Sequence, residues 1–496
     1  MKSLTLICLA SLASVSAHGN GLRYGRPERQ PTPAEVTDGP LVLSGMPAED
    51  ARAASKVSLP GWGNAGYSGF FVTNPASTNH MFFWYFPKPN APLLIWLQGG
   101  PGGSSMFGLF AEMGPFNSDA SLKLVKRDAA WTSKYAMLFI DNPVGAGFSF
   151  TTSDSGYCND TKECVASNLF SLLTQFYGVF PEMLQQELYI TGESYGGHYV
   201  PGFAAYIDAH NERVRRGQTV EAAAASQLTI PLAGMAIGDG WIDPVNMIPA
   251  YPDMIYSFGL CDEREKAKIQ QYCDSAVSLI KAGKMLEAFN VWDEFLNGDV
   301  WPYGNYFHNI TGLNDYDNYL NTNAPADFDY YAPYLNQPEV RAALHVGNAT
   351  FPSNPTKCEF HLLGDFMVSF VDELVTLLNA PQRYKVLIYS GQLDVIIGAA
   401  LTQRFLPGVA WHGQAAFNAA PKAVWRVKPT DLEVAGYARM VGNFTQVVVR
   451  GAGHIVPGDQ PERALDMISR FVEGRGYKSY PDPAKPTGFV GYRASK

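Results

Sequence analysis

Leu188-Tyr189-Ile190-Thr191-Gly192-Glu193-Ser194-Tyr195-Gly196 is the stretch on which the reading of this chain turns. Four apolar, strand-forming residues run into Gly-Glu-Ser-Tyr-Gly, and a helical pattern follows from His198 to Val214. A strand that turns sharply into a helix here exposes the Ser194 hydroxyl at the C-terminal edge of a sheet. Glycines at 192 and 196 let the backbone take that turn without a Cβ clash. A serine hydroxyl is a poor nucleophile until a base removes its proton, so the rest of the chain has to supply a partner.

His454 is the expected base. It sits in Gly451-Ala452-Gly453-His454, directly after Val447-Val448-Val449, so a loop at a strand end carries it. His198 is nearer in sequence, but one turn into the helix it points elsewhere. Asp394 follows Val386-Leu387-Ile388-Tyr389 through Ser390-Gly391-Gln392-Leu393. Its role there is to orient the imidazole and stabilise the imidazolium. Asp459 and Asp466 are rivals, but both follow the histidine instead of preceding it. Ser194, Asp394 and His454 stand in the chain order of an α/β-hydrolase triad, each after its own apolar run.

Another apolar run ends in Trp96-Leu97-Gln98-Gly99-Gly100-Pro101-Gly102-Gly103-Ser104-Ser105. The loop lacks the Lys-Ser/Thr of a phosphate-binding loop. Its other use is an oxyanion hole, formed by the N–H of Gly100 and that of Tyr195, the residue after the nucleophile. Glu193 is odd beside a nucleophile, because an ionised acid opposes developing negative charge. The conflict disappears if burial and a second acid keep Glu193 protonated, since a neutral carboxyl donates a hydrogen bond to a substrate carboxylate. Glu112, within Phe107 to Pro115, is the partner expected.

Apolar runs alternating with helical patterns indicate an α/β fold with a mostly parallel sheet. Strands are expected at Leu93–Leu97, Ala136–Ile140, Leu188–Thr191, Leu228–Ile237, Lys385–Tyr389 and Gln446–Val449. Helices are expected at Val165–Tyr177, His198–Val214 and Glu462–Glu473. Ser68–Val72 and Met81–Phe86, on either side of Thr73-Asn74-Pro75, read as an antiparallel hairpin. From Trp241 to about Asn336 the pattern changes to a charged helical stretch, Asp262–Leu296, and then a loop rich in Asn, Asp and Tyr. This is read as a largely helical cap, residues 241–336, inserted between two parts of the core, 18–240 and 337–477.

Lys2, the apolar run Leu4–Leu12 and the small residues Val15-Ser16-Ala17 mark residues 1–17 as a secretory signal peptide, too short to span a bilayer. Sequons at Asn159, Asn309, Asn348 and Asn443 fit a glycoprotein passing through the secretory pathway, secreted or delivered to a lysosome or vacuole. The tail 478–496 carries no anchor signal. Cys8 leaves with the leader; Cys158, Cys164, Cys261, Cys273 and Cys358 suggest two bridges and one free thiol, with the pairing open and Cys158 and Cys164 close enough for a small loop. No Cys or His spacing matches a zinc site, and no cofactor is called for. The 496 residues are 46% apolar and 17% charged, enough for a large core. A net charge of −9 argues against nucleic-acid partners.

The chain resembles the serine carboxypeptidases from about Gly66 to Gly474. The blocks that carry the likeness are Trp96 to Pro115, Asp141-Asn142-Pro143-Val144-Gly145-Ala146-Gly147-Phe148-Ser149, Gly192 to Pro201, Ile237-Gly238-Asp239-Gly240 and Gly453-His454-Ile455-Val456-Pro457. Gln98, Gly103 and Gly238-Asp239-Gly240 are most similar to the vitellogenic-like branch. The resemblance implies an α/β-hydrolase that removes C-terminal residues from peptides and proteins at acid pH through an acyl-enzyme. It implies the triad Ser194, Asp394 and His454 and the oxyanion donors Gly100 and Tyr195. Glu112, Glu193, Gln98 and the Gly99 N–H then recognise the substrate's terminal carboxylate. Members of the family are often homodimers. Three departures stand out: Gln98 replaces an Asn, Gly103 a Cys, and Gln392 and Ile455 an Asp and a Met. An acyltransferase or esterase using the same triad is the alternative, and a non-catalytic binding or storage protein is the reading from another class.

Overall fold

The computed structural model describes residues 39–218, 227–298, 305–352, 355–380 and 383–477. The leader expected at 1–17 and the tail expected from 478 lie outside them. In chain order the strands begin with β1 (Lys56–Leu59), β2 (Gly63–Val72), β3 (Asn79–Phe86), β4 (Leu93–Leu97), β5 (Phe116–Ser118), β6 (Leu124–Lys126) and β7 (Ala136–Ile140). They continue with β8 (Phe150–Thr151), β9 (Leu188–Glu193), β10 (Leu232–Gly238), β11 (Lys385–Gly391), β12 (Ala423–Trp425), β13 (Gly436–Val441) and β14 (Phe444–Val449).

All but β5 and β6 join one 12-stranded sheet, in the order β1-β2-β3-β7-β4-β9-β10-β11-β14-β13-β12, with β8 beside β3. The centre, from β7 to β14, is parallel throughout. The flanks are antiparallel, including the expected β2–β3 pair. Each central strand is buried on both faces, as the unbroken apolar runs require. Leu93, Ile95, Leu97, Leu188 and Ile190 point into one core; Leu94, Trp96 and Tyr189 point into the other. Helices Ala166–Val179, Gly196–Arg215 and Val371–Asn379 cover the first face through Leu172, Phe203 and Leu374. Helix Pro461–Val472 covers the second through Met467 and Ile468. The chain therefore has the mixed central sheet and helical layers of an α/β-hydrolase-like fold.

Between β10 and β11 the described residues form helices and no strand, so the helical segment runs past Asn336 as far as 384. The charged stretch expected as one unit is two helices, Glu263–Lys281 and Met285–Trp292, parted at Gly283 with φ +73°. The first opens on a capping box: Asp262 accepts the Arg264 and Glu265 N–H groups, and Glu265 accepts the Asp262 N–H. Ile269, Cys273, Phe289 and Trp292 from these helices share one core with Tyr199 and Phe203 of the main body. Strands β12 and β13 went unread because Gly436–Val441 mixes polar and apolar residues, as befits the rim of a sheet.

Cys158 and Cys164 form a disulfide, whereas Cys261, Cys273 and Cys358 are free thiols. The expected second bridge is absent among the described residues. Cys273 is committed to the core face of its helix, beside Ile269 and Ala276, and Cys358 packs under Gly145. The four sequon asparagines are all exposed.

Candidate active site

The turn after β9 concentrates its strain on one residue. Ser194 has φ +61°, a left-handed conformation that a serine holds only when its surroundings over-determine it. Its N–H donates to the Gly238 carbonyl at 3.0 Å, and its own carbonyl accepts from Gly197 at 2.8 Å and Trp241 at 2.9 Å. Glycine is required for close approach, not for φ: a Cβ on Gly192 would stand 2.6 Å from the Leu97 oxygen, and one on Gly197 2.5 Å from the Trp241 nitrogen. Gly196, the second glycine of the pentapeptide, is less confined, its nearest neighbour lying at 3.3 Å. From Thr191 to Pro201 every residue is buried except Ser194.

Because β9, β10, β11 and β14 are parallel neighbours, the loops after them open on one edge. That edge brings Asp394 and His454 together, with Nδ1 of the imidazole 2.8 Å from Asp394 Oδ2. Asp394 is fully buried, and its Oδ1 accepts the Ile397 N–H at 3.0 Å. The bond through Nδ1 leaves Nε2 to act on a hydroxyl. The rival acids have other work: Asp459 accepts the Gly453 N–H at 2.6 Å, and Asp466 holds Arg470 and the Trp425 indole. His198 faces away as expected, its Nδ1 2.6 Å from the Trp241 carbonyl, and burial lowers it to about 4.

The glycine loop after β4 lies against the elbow. A Cβ on Gly99 would come within 2.6 Å of Ser194 Cβ and 2.7 Å of the Tyr195 nitrogen. Among the described residues no backbone acceptor takes the Gly100 or Tyr195 N–H. Asp141, a buried residue whose role the sequence did not disclose, fastens this loop. It accepts the Ser104 hydroxyl, the Ser105 N–H at 3.1 Å and the Phe148 N–H at 2.7 Å. Burial lifts its carboxyl to about 7 against the pull of those donors.

Glu193 ends β9 and Glu112 lies in a turn of π-helix, Gly108–Met113; both are fully buried. Gln98 Nε2 donates to Glu193 Oε1 at 2.8 Å, while Gln98 Oε1 accepts the Trp96 indole N–H at 2.8 Å. The indole thus sets which way the amide faces. Burial raises Glu112 to about 7, and burial together with the neighbouring Glu112 charge raises Glu193 well above its ordinary range. Both carboxyls are thereby held toward their neutral, protonated forms.

A model of the serine carboxypeptidase family matches residues 60–474. The chain belongs to the serine carboxypeptidase family. It is 44% identical to the probable serine carboxypeptidase CPVL of Homo sapiens over 426 residues, 85% of this chain and 86% of that protein. It is 40% identical to the venom serine carboxypeptidase of Apis mellifera, covering 83% and 85% of the two chains. Vitellogenic carboxypeptidase of Aedes aegypti is 36% identical, over 90% and 91%. Among solved structures, a prohormone-processing carboxypeptidase from Saccharomyces cerevisiae superposes with a TM-score of 0.70. At 24% identity, over 82% of this chain and 91% of that one, it supports the fold. The protein is therefore a serine carboxypeptidase, a hydrolase acting on peptides, and no helix of its described residues is long and apolar enough to cross a membrane.

Three further acids gather around the Asp394–His454 pair of this carboxypeptidase. Asp239, immediately after β10, packs its carboxyl beside that of Asp394. Polar atoms of Asp239, Asp394 and His454 lie within 4.8 Å of one another. Such a trio could surround a cation, but the Asp394–His454 hydrogen bond already accounts for the arrangement. Asp317 and Asp459 come from the helical segment and from the turn after His454. Burial pushes His454 down, but Asp394, through its charge and its hydrogen bond, outweighs that and holds the imidazole above its ordinary range. Desolvation raises Asp317 itself to about 7.

The loop carrying Asp317 also grips the loops of His454 and Asp394. The Asp317 carbonyl accepts the His454 N–H at 2.6 Å, and Asn318 donates to Asp459 at 3.0 Å. On the other side, the Tyr316 carbonyl accepts the Val395 N–H at 3.0 Å and the Tyr319 N–H donates to Leu393 at 3.1 Å.

Proposed function

We propose that Ser194, His454 and Asp394 are the triad of this serine carboxypeptidase and that it works best in acid. Ser194 Oγ attacks the last peptide carbonyl while His454 takes its proton, and the N–H groups of Gly100 and Tyr195 stabilise the oxyanion. His454 then protonates the leaving amino acid, and water hydrolyses the acyl-enzyme. Gln98, the Gly99 N–H, Glu112 and Glu193 bind the terminal carboxylate. Residues 241–336 cover the site as an inserted cap. The leader at 1–17 and glycans at Asn159, Asn309, Asn348 and Asn443 send the enzyme through the secretory pathway to the exterior or a lysosome.

The observation that carries this reading is the buried Glu112–Glu193 pair beside the elbow, oriented through Gln98. A neutral acid pair donates to a carboxylate; an ionised pair repels it, so substrate binding weakens as pH rises. The test is amino-acid release from N-blocked dipeptides at acid and neutral pH, with Ser194→Ala alongside. Strong release in acid that vanishes in the variant supports the assignment. Acyl transfer to an added alcohol in place of hydrolysis would favour the transferase alternative.

A further inference from the structure

Asp239 occupies an unusual position. It is fully buried at the C-terminal end of β10 with φ +43°, a conformation that favours glycine. Its N–H donates to the Tyr389 carbonyl at 2.8 Å, and its Oδ1 accepts the Gly391 N–H at 2.7 Å. Among the described residues, no N–H or hydroxyl reaches its Oδ2. A carboxylate oxygen of Asp239 lies within 4.8 Å of one of Asp394, whose own two oxygens are already engaged by His454 and Ile397. Two buried carboxyls in contact cannot both be ionised without a large cost, and one of them has to carry a proton.

We propose that Asp239 is a positioning residue for the triad: a neutral acid that donates through Oδ2 to Asp394 and thereby sets how strongly Asp394 holds the imidazolium of His454. The proposal rests on the triad assigned above. A donor on Asp394 draws off part of its negative charge, so the carboxylate pulls less on the His454 proton. An enzyme that uses a histidine as a general base in acid needs that slackening, because the base must be free of its proton before Ser194 can react.

The environment of Asp239 keeps the proton in place. Facing it are Asp394 and Tyr389 of the β11 segment, Glu193 of β9, and His454 and Asp459 of the segment after β14. Burial and the charge of Asp394 both raise it far above the usual carboxylate range; the Gly391 N–H opposes them. When Asp239 does ionise, at higher pH, the added charge tightens His454's grip on its proton. Turnover then falls through the base, separately from the Glu112–Glu193 pair, which acts on substrate binding.

Asp239→Asn keeps an N–H donor for Asp394 and an oxygen for Gly391 but has no proton to lose; Asp239→Ala removes both contacts. The experiment measures kcat and KM for N-blocked dipeptides across acid to neutral pH, with thermal unfolding as the fold control. Asp239→Asn is expected to hold its acid kcat within about threefold and to move the neutral-side fall of kcat up by about one pH unit. A folded Asp239→Ala is expected to lose about tenfold or more in kcat with KM little changed. A kcat profile of Asp239→Asn that overlays the wild type overturns the proposal, whether or not Asp239→Ala folds. So does equal loss in the two variants. Residual turnover in Ser194→Ala would instead discredit the triad assignment, leaving the two failures distinguishable.

Discussion

Ser194 carries its strain in its own backbone, held by carbonyl and N–H contacts from Gly238, Gly197 and Trp241. Replacing the side chain therefore leaves the turn intact, and Ser194→Ala should unfold at nearly the wild-type temperature while turnover disappears. Asp394→Asn should cost about 10³-fold or more in kcat, because the amide presents a donor to Nδ1 and turns the imidazole to the wrong tautomer. Glu112→Gln combined with Glu193→Gln removes both protons of the pair. Its KM should stay flat from acid to neutral pH, where wild-type KM rises about tenfold, and initial-rate kinetics decide it. Ser194, His454 and Asp394 were legible because each follows an apolar run that ends at the same sheet edge. Asp239 ends such a run too, after Ile237-Gly238, and that signal passed unused. Asp141 ends another such run, after Ala136–Ile140, and it too went unused, whereas Asp317 offered no signal, since it meets His454 only in the folded chain.

At the level of elements, the central strands were readable because burial on both faces makes them continuously apolar. The rim strands β12 and β13 were not, since half-exposed edges tolerate Arg439 and Tyr437. The break at Gly283 was hidden for a different reason: the apolar pattern resumes at Met285 and Leu286, so a single helix fits the composition. Helix Glu263–Lys281 depends on its capping box for entry into the helical geometry. Asp262→Ala should lower the midpoint of denaturant unfolding, with kcat/KM unaltered if the helix stays docked through Ile269 and Cys273. Asp141→Ala is expected to be harsher. It strands three donors in the loop after β4, about 3 kcal/mol or more of stability, and loosens the wall against which Gly99 meets the elbow.

Across the whole molecule, buried acids set the pH at which the fold is firmest. Glu112, Asp141 and Asp317 are each raised to about 7, and Glu193 and Asp239 are raised as well. The unfolded chain gives up these protons near pH 4, whereas the folded chain keeps those of Glu112, Asp141 and Asp317 until about 7. Over that window the folded state binds more protons, so stability falls as pH rises. Thermal unfolding should occur several degrees higher near pH 5 than above pH 7, a trend that Asp141→Asn combined with Glu112→Gln should weaken. The loop at 315–319 has a consequence in time as well as in space. It ties the loop of Asp394 to that of His454, so the serine that emerges at 194 waits for nearly all of the remaining chain before its partners can be gathered. At about 5–20 residues per second of synthesis, that wait lasts tens of seconds. Until residue 454 has been made, a nascent chain of this peptidase cannot assemble the site proposed around Ser194, and so cannot yet cut its neighbours.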